Sequence, residues 1–280
     1  MRTDYHMHLE RGPWTLEWLG RFVETSHSRG ITEIGFSEHP HRFRECRAMY
    51  PPRDAVSGWV DEQCTEGLDD YFRLIEAARH AGLAVKLGLE GDFLPGYERE
   101  LERAVRGYPW DYVIGSVHWL PPSTAGGVWW GFDDLSRTDE WARHDVLEAY
   151  RQYFRLIAGA AETGFFDFIG HPDVIKVAGY RPAADLYDLY DRAAASFAHA
   201  GVCAEINTAG WRKPVGEAYP APPFLAACRL AGVPTLINSD AHTPEDVGRD
   251  FERAETIARA AGYTEVATFA ARRRTMVPLP

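Results

Sequence analysis

The sequence predicts an α/β fold closed as a parallel barrel, and three observations carry that prediction. Seven short apolar or β-branched runs recur along the 280 residues, each followed by a polar loop and a segment of helical periodicity. Most of these helical segments end in Gly, a common helix stop. Strand and helix therefore alternate throughout, which implies parallel pairing through right-handed crossovers. About seven such units close most economically as a barrel related to the TIM fold, with its site at the C-terminal ends of the strands. An open doubly wound sheet is the alternative, and it places ligands at the same ends.

In order, the first run is "TDYHMHL", in which Asp4, His6, His8 and the following Glu10 alternate with Tyr5, Met7 and Leu9. A strand sends alternate side chains to opposite faces, so four polar groups are expected on one side and the apolar set on the other. Thr15 then caps the helix "TLEWLGRFVETSHSRG", placing Glu17 in its first turn. The second run, "ITEIGFSEH", delivers His39; the third, "LAVKLGLEGDF", delivers Glu90; the fourth, "DYVIGSVHWL", delivers His118. "LDDYFRLIEAARHAG" and "YERELERAVRG" are the helices between them, and "DEWARHDVLEAYRQYFRLIAGAAETG" reads as one long helix. "FFDFIGHPD" then brings His171, "GVCAEINTAG" the sixth strand, and "GVPTLINSDAH" both Asp240 and His242. "ADLYDLYDRAAASFAHAG", "PPFLAACRLAG" and "EDVGRDFERAETIARAAG" complete the helices. Three connections, residues 40–67, 119–138 and 208–222, are long for such loops and rich in Trp, Pro and Arg. Each leaves the C-terminal end of a strand, so they are expected to roof one mouth as ordered lids. No compositional break divides residues 1–280, which read as one barrel domain.

The composition is globular, 45% hydrophobic and 25% charged, with a net charge of -11. That acidic balance argues against a nucleic-acid backbone or an anionic membrane as the main partner, while leaving room for a small phosphorylated substrate where bound cations reverse the local sign. Cys46, Cys64, Cys203 and Cys228 form no CxxC pair and read as free thiols of a reducing cytoplasm. Neither a signal peptide nor a membrane-spanning apolar run is read in the sequence.

The histidines sort by position. His6, His8, His39, His118, His171 and His242 lie at or just past strand C-termini, whereas His27, His80, His144 and His199 fall on predicted helices and His41 in a loop. One strand-end histidine alone is commonly a hydrogen-bonded structural residue; six converging on one mouth imply metal. Glu90, Asp240 and Glu10 supply carboxylates at the same level, and the absence of cysteine favours a hydrolytic cluster over a structural zinc site. Cations within about 4 Å of each other need a bridging carboxylate, for which Glu90 is the candidate, the alternative being a hydrogen-bond partner of a histidine.

In strand order, "HMH", "SEH", "GLEGD", "GSVHWL", "GHPD" and "SDAH" resemble the motif series of the PHP (polymerase and histidinol phosphatase) superfamily. The strings "FIGHPDVIK", "EINTAGWRKPVGEAYP" and "INSDAHTPEDVG" are similar to its histidinol-phosphatase branch. The resemblance spans residues 4 to about 250 and implies a distorted (β/α)7 barrel with two or three divalent ions, Zn, Mn or Fe. It implies one ion held by His6, His8, Glu90 and Asp240, a second by Glu90, His118 and His171, and a third by His39, His242 and an acidic residue. The sequence departs from the pattern at that last ligand, since "RGPWTL" follows the first motif; Glu10 is the replacement offered by alternation, Glu17 the other candidate.

The chemistry so implied is hydrolysis of a phosphomonoester, L-histidinol phosphate, by a water whose pKa the cations lower, with Glu90, Asp240 and His242 as catalytic residues. His242 or a metal-bound water would protonate the leaving alkoxide, and the sequence does not choose between them. Arg42, Arg44, Lys176, Arg212 and Lys213 are candidate phosphate contacts. Trp119, Trp129, Trp130, Phe132 and Trp211 are candidates to face the imidazole or ammonium, with Glu217 and Asp133 available to the ammonium. Asp4 is expected to hold a histidine tautomer. Another small phosphoester, or a noncatalytic metal-stabilised module, are the competing readings.

Overall fold

The computed structural model describes residues 1–51, 55–122 and 127–280, with residues 55–57 as backbone only. In chain order its elements are β1 (Arg2–Asp4), α1 (Leu16–Ser28), β2 (Ile31–Glu38), α2 (Ala55–Gln63), α3 (Leu68–His80), β3 (Val85–Asp92), α4 (Glu98–Arg106) and β4 (Tyr112–Ser116). A small hairpin, β5 (Trp119–Leu120) and β6 (Trp130–Gly131), precedes α5 (Val146–Glu162), β7 (Phe168–Ile169), α6 (Tyr187–Ala200) and β8 (Cys203–Asn207). The chain ends with α7 (Pro222–Leu230), β9 (Thr235–Asn238), α8 (Phe251–Ala260) and the hairpin β10 (Glu265–Ala270)–β11 (Arg273–Pro278).

Seven parallel strands run in the order β1-β2-β3-β4-β7-β8-β9, as the alternating pattern predicts. The ring is nearly closed. Its seam is a single parallel bridge, Met7 to Ala241, in which His8 N donates to Ala241 O at 2.8 Å and Ala241 N to His6 O at 3.2 Å. The helices lie outside, burying residues such as Leu19, Phe22, Tyr71, Ile75, Tyr153 and Phe224 against the strands.

The structure differs from the sequence reading in four places. Regular pairing of the first strand stops at Asp4, and its apolar residues divide: Tyr5 joins one buried cluster, Met7 and Leu9 another. The long helix predicted over 139–164 is two elements, because Asp145 accepts from Glu148 N and so starts α5, while a 3₁₀ helix over Leu135–Arg143 ends before it. The predicted lid 40–67 carries α2 and two 3₁₀ turns, its residues 52–54 lying outside the described residues, as do 123–126 of the second lid. Finally, β10–β11 was not foreseen. It seals the barrel floor: Ala267 and Phe269 pack with Tyr5, Tyr112, Phe168 and Leu236, and Phe269 stacks 5.7 Å from Phe168. All four cysteines are free, and among the described residues no helix is long and apolar enough to cross a membrane.

Tyr112 sets the width of this floor. Its hydroxyl donates to Phe36 O at 3.2 Å, and its ring occupies the space where a side chain at Gly35 or Gly88 would begin. Gly88→Ala is therefore expected to destabilise the protein by about 1–3 kcal/mol, the cost of overpacking a filled core. Urea unfolding followed by far-UV circular dichroism measures it, and an unchanged midpoint would show that the ring can give way.

Candidate metal centre

The strand ends deliver their side chains to one point because the barrel is parallel. His6 and His8 flank Met7 at the seam, His39 follows β2, Glu90 and Ser116 lie on β3 and β4, and His118 follows two residues after β4. His171 and Asp240 turn in through left-handed backbone, with φ of 28° and 53°. Such a conformation costs a non-glycine residue about 1–3 kcal/mol and is retained where the surroundings over-determine it.

Glu90 occupies the middle. Its Oε2 lies 3.2 Å from His6 Nε2, 3.4 Å from His8 Nε2 and 3.0 Å from His39 Nδ1. Its Oε1 lies 2.8 Å from His171 Nε2 and 3.5 Å from His118 Nε2, and accepts from Ser116 Oγ at 2.7 Å. Asp240 Oδ1 stands 3.6–3.7 Å from His6, His8 and His242. Glu10 Oε1 is 3.5 Å from His242 Nε2, whereas Glu17 is exposed in the first turn of α1.

Ring orientation is fixed from behind. Glu205 Oε1 accepts from His6 Nδ1 at 2.8 Å and from Asn238 Nδ2 at 2.7 Å; its Oε2 accepts from His171 N at 2.7 Å and from Asn207 Nδ2 at 2.9 Å. Asp92 Oδ1 faces His118 Nδ1 at 2.5 Å, and its Oδ2 accepts from Tyr50 in the first lid. With Nδ1 protonated towards these carboxylates, His6 and His118 turn the lone pair of Nε2 into the cluster. The sequence reading gave that role to Asp4, and the structure corrects it: Asp4 accepts from Ser239 and Gly248, away from the histidine rings, because the first strand loses its alternation after Asp4. Glu205, Asp92 and Glu38, which accepts from Leu9 N, were missed. The available signal was their position as acids inside otherwise apolar strands.

The donor set fits metal ions. His6 Nε2, both nitrogens of His8, His39 Nδ1 and Glu90 Oε2 are buried without a hydrogen-bond partner. His118 Nε2 and His171 Nε2 face each other at 3.3 Å. Three or more donors converge in four groups: His6, His8 and Glu90; His6, His171 and Asp240; His39, Glu90 and His118; His8, His39 and His242. Buried lone pairs at this density are costly unless positive charge compensates them. Protons do part of that in the bare chain. Burial disfavours charge on His6, but Glu205, Glu90 and Asp240 hold its pKa well above the ordinary value. Burial likewise opposes a charged Glu90, yet His6, His39 and His118 keep it well below the carboxylate range. His8, buried beside His39 and His242, is pushed down to about 3.

Above the cluster opens a cavity of ≈ 840 Å³. Trp119 and Lys213 line it, as do Trp59, Trp129, Trp130, Asp133, Arg143 and His144. His144, predicted on a helix, follows the 3₁₀ helix instead and is exposed, stacking 3.7 Å from Trp130. Five predicted substrate contacts are placed elsewhere. Lys176 is buried, its ammonium donating at 2.8 Å to Glu217 and Ala218 O and paired with Asp173 at 2.8 Å. Glu217 is thereby engaged, and also accepts from Arg181 at 2.6 Å. Arg42 donates to Gln63, Arg212 donates to Ser239 O at 2.8 Å, and Trp211 lies under the Arg253 guanidinium. Of the other candidates, Arg44 donates to Thr65 O and Phe132 is core.

A PHP domain family model matches residues 4–209. A probable histidinol-phosphatase of Deinococcus radiodurans is 37% identical over 278 residues, 98% of each chain. A histidinol-phosphatase of Lactococcus lactis is 25% identical, covering 96% of this chain and 94% of that one. The crystal structure of the Lactococcus lactis histidinol phosphate phosphatase with zinc, L-histidinol and phosphate shares the fold at a TM-score of 0.74 and 22% identity, over 98% of both chains. That of a putative histidinol phosphatase from Listeria monocytogenes gives 0.72 at 21% identity, over 90% of this chain and 99% of the other.

Because both oxygens of Glu205 accept two bonds, an amide there would set its NH₂ against two donors. Glu205→Gln should therefore weaken metal binding about 10- to 100-fold while the fold persists. Competitive chelator titration with circular dichroism checks this; unchanged affinity would make Glu205 a packing residue only.

Proposed function

The chain belongs to the PHP domain family, and from that premise we propose that it is a metal-dependent phosphomonoesterase releasing phosphate from L-histidinol phosphate. The observation that carries the reading is the buried Glu90 carboxylate faced by five histidine nitrogens at the foot of an open cavity. The full-length similarity to a probable histidinol-phosphatase supports the substrate.

In this assignment His6, His8, Glu90 and Asp240 hold one divalent ion, Glu90, His118 and His171 a second, and His39, His242 and Glu10 a third. Zinc, manganese and iron all suit these ligands. Such ions, when bound, supply a Lewis acid for the phosphoryl oxygens and lower the pKa of a water. The protein positions and screens: Glu90 would offset the repulsion between neighbouring cations, and Glu205 and Asp92 keep the ring lone pairs inward. Lys213 and Arg143, with no hydrogen bond or ion pair to described side chains, are the cavity cations available to phosphate. Arg212 and Lys176 are engaged inside the protein. Free thiols fit a cytoplasmic setting.

Phosphate release from a panel of histidinol phosphate, nucleotides and phosphotyrosine tests the substrate. Activity is expected on histidinol phosphate first, to vanish on exhaustive chelation and to return with zinc, manganese or iron. Glu90→Gln should lower kcat by about 100-fold or more and reduce bound metal, since one lost charge leaves the cations underscreened. Full activity in protein shown metal-free by elemental analysis would refute the reading.

A further inference from the structure

The charged side chains of the cavity wall divide into engaged and free. Glu10, Glu90 and Asp240 belong to the histidine cluster. Asp134 caps its own helix, accepting from Ser136 N at 2.9 Å and Oγ at 2.6 Å, and Glu140 pairs with Arg137. Asp133 differs. It lines the cavity beside Trp129 and Trp130, near enough to His118 and His171 to feel their charge, and apart from accepting from its own backbone N–H it makes no hydrogen bond or ion pair with a described side chain. A half-buried carboxylate that no described cation neutralises is open to a cationic group of a ligand.

We propose that Asp133 is the specificity-determining residue that pairs with a substrate ammonium, while the cluster, Lys213 and Arg143 take the phosphate at the other end. The inference rests on the histidinol-phosphate reading and adds the residue that selects for the primary amine of that alcohol. The tryptophans that line the same cavity suit that occupant, because an ammonium gains from an aromatic face as well as from the charge. Glu217, the other acid considered for this role, is excluded by its pairs with Lys176 and Arg181.

The test compares metal-loaded wild type with Asp133→Asn on two ester pairs: L-histidinol phosphate against its desamino counterpart, and 2-aminopropyl phosphate against propyl phosphate. Asp133→Asn should raise KM for the aminated esters about 10- to 100-fold, the scale of a charged hydrogen bond. Hydrolysis of the amine-free esters, inhibition by inorganic phosphate and metal content should stay within about twofold, and Asp133→Glu should recover part of the preference. Equal losses on aminated and amine-free esters, a drop in metal content, or a preference that survives Asp133→Asn would overturn the proposal. Wild type that prefers 2-aminopropyl over propyl phosphate but ignores histidinol phosphate would refute the substrate reading and leave Asp133 standing. Wild type with no preference in either pair would overturn Asp133 alone.

Discussion

Six imidazoles crowd around the carboxylates of Glu90 and Asp240 beneath the cavity, at N···O separations of 2.8–3.7 Å, and their lone pairs can point inward only if something else takes their protons. Glu205 and Asp92 do this, each accepting from the Nδ1 of a histidine whose Nε2 faces the centre. Remove that constraint and a neutral imidazole can present N–H instead of a lone pair, turning an acceptor cluster into a mixture. The long reach of the arrangement follows. Asp92 ties His118 to Tyr50 in the first lid, and Glu205 ties His6 to the backbone of His171 and to Asn207 and Asn238 on neighbouring strands. Ring orientation, lid position and strand register are thus parts of one hydrogen-bonded assembly.

The barrel seam runs through the same place. β1 and β9 join by the bridge between Met7 and Ala241, and the residues on either side of that bridge are His6, His8, Asp240 and His242. Elsewhere each strand pair shares two or more ladder positions; here the carboxylate of Asp240, 3.6–3.7 Å from both first-strand rings, stands where further pairing would be. Ions held by these four side chains would clamp the seam, coupling the site to closure of the fold. The left-handed backbone at Asp240 belongs to this geometry, since it turns the side chain back over the barrel axis immediately after β9.

How much of this the sequence discloses depends on range. Parallel α/β order, the strand-end histidines and the central carboxylate are local facts, visible as period and position, and the structure brings those residues together. The side chains that orient them are not local. Glu205 reads as an ordinary acid in "CAEIN", and only the fold carries it to His6, 199 positions earlier in the chain. The first strand misled for a related reason. Strict alternation presumes a continuous ladder, and β1 loses its ladder at Asp4, so the parity that tied Asp4 to His6 and His8 fails, although both histidines still reach Glu90. The floor hairpin escaped notice because "EVATFA" and "RRTMVP" are joined by Ala271 and Arg272, both in left-handed backbone without the glycine or asparagine that usually marks such a turn.

Charge shows the same limit at the mouth. Lys176 and Lys213 both sit in loops rich in family-like motifs, and composition gives no way to rank them. Packing does. Lys176 is sealed under the wall with Asp173, Glu217 and Ala218 O around its ammonium, where an incoming phosphate would have to displace neutralised partners and desolvate further. Lys213 faces the cavity with no partner among the described residues, so no described carboxylate cancels its field until a ligand arrives. A charged side chain contributes to recognition in proportion to what it lacks in the free protein, and by that measure the reactive part of this wall is the small set left unpaired when every internal ion pair has been formed.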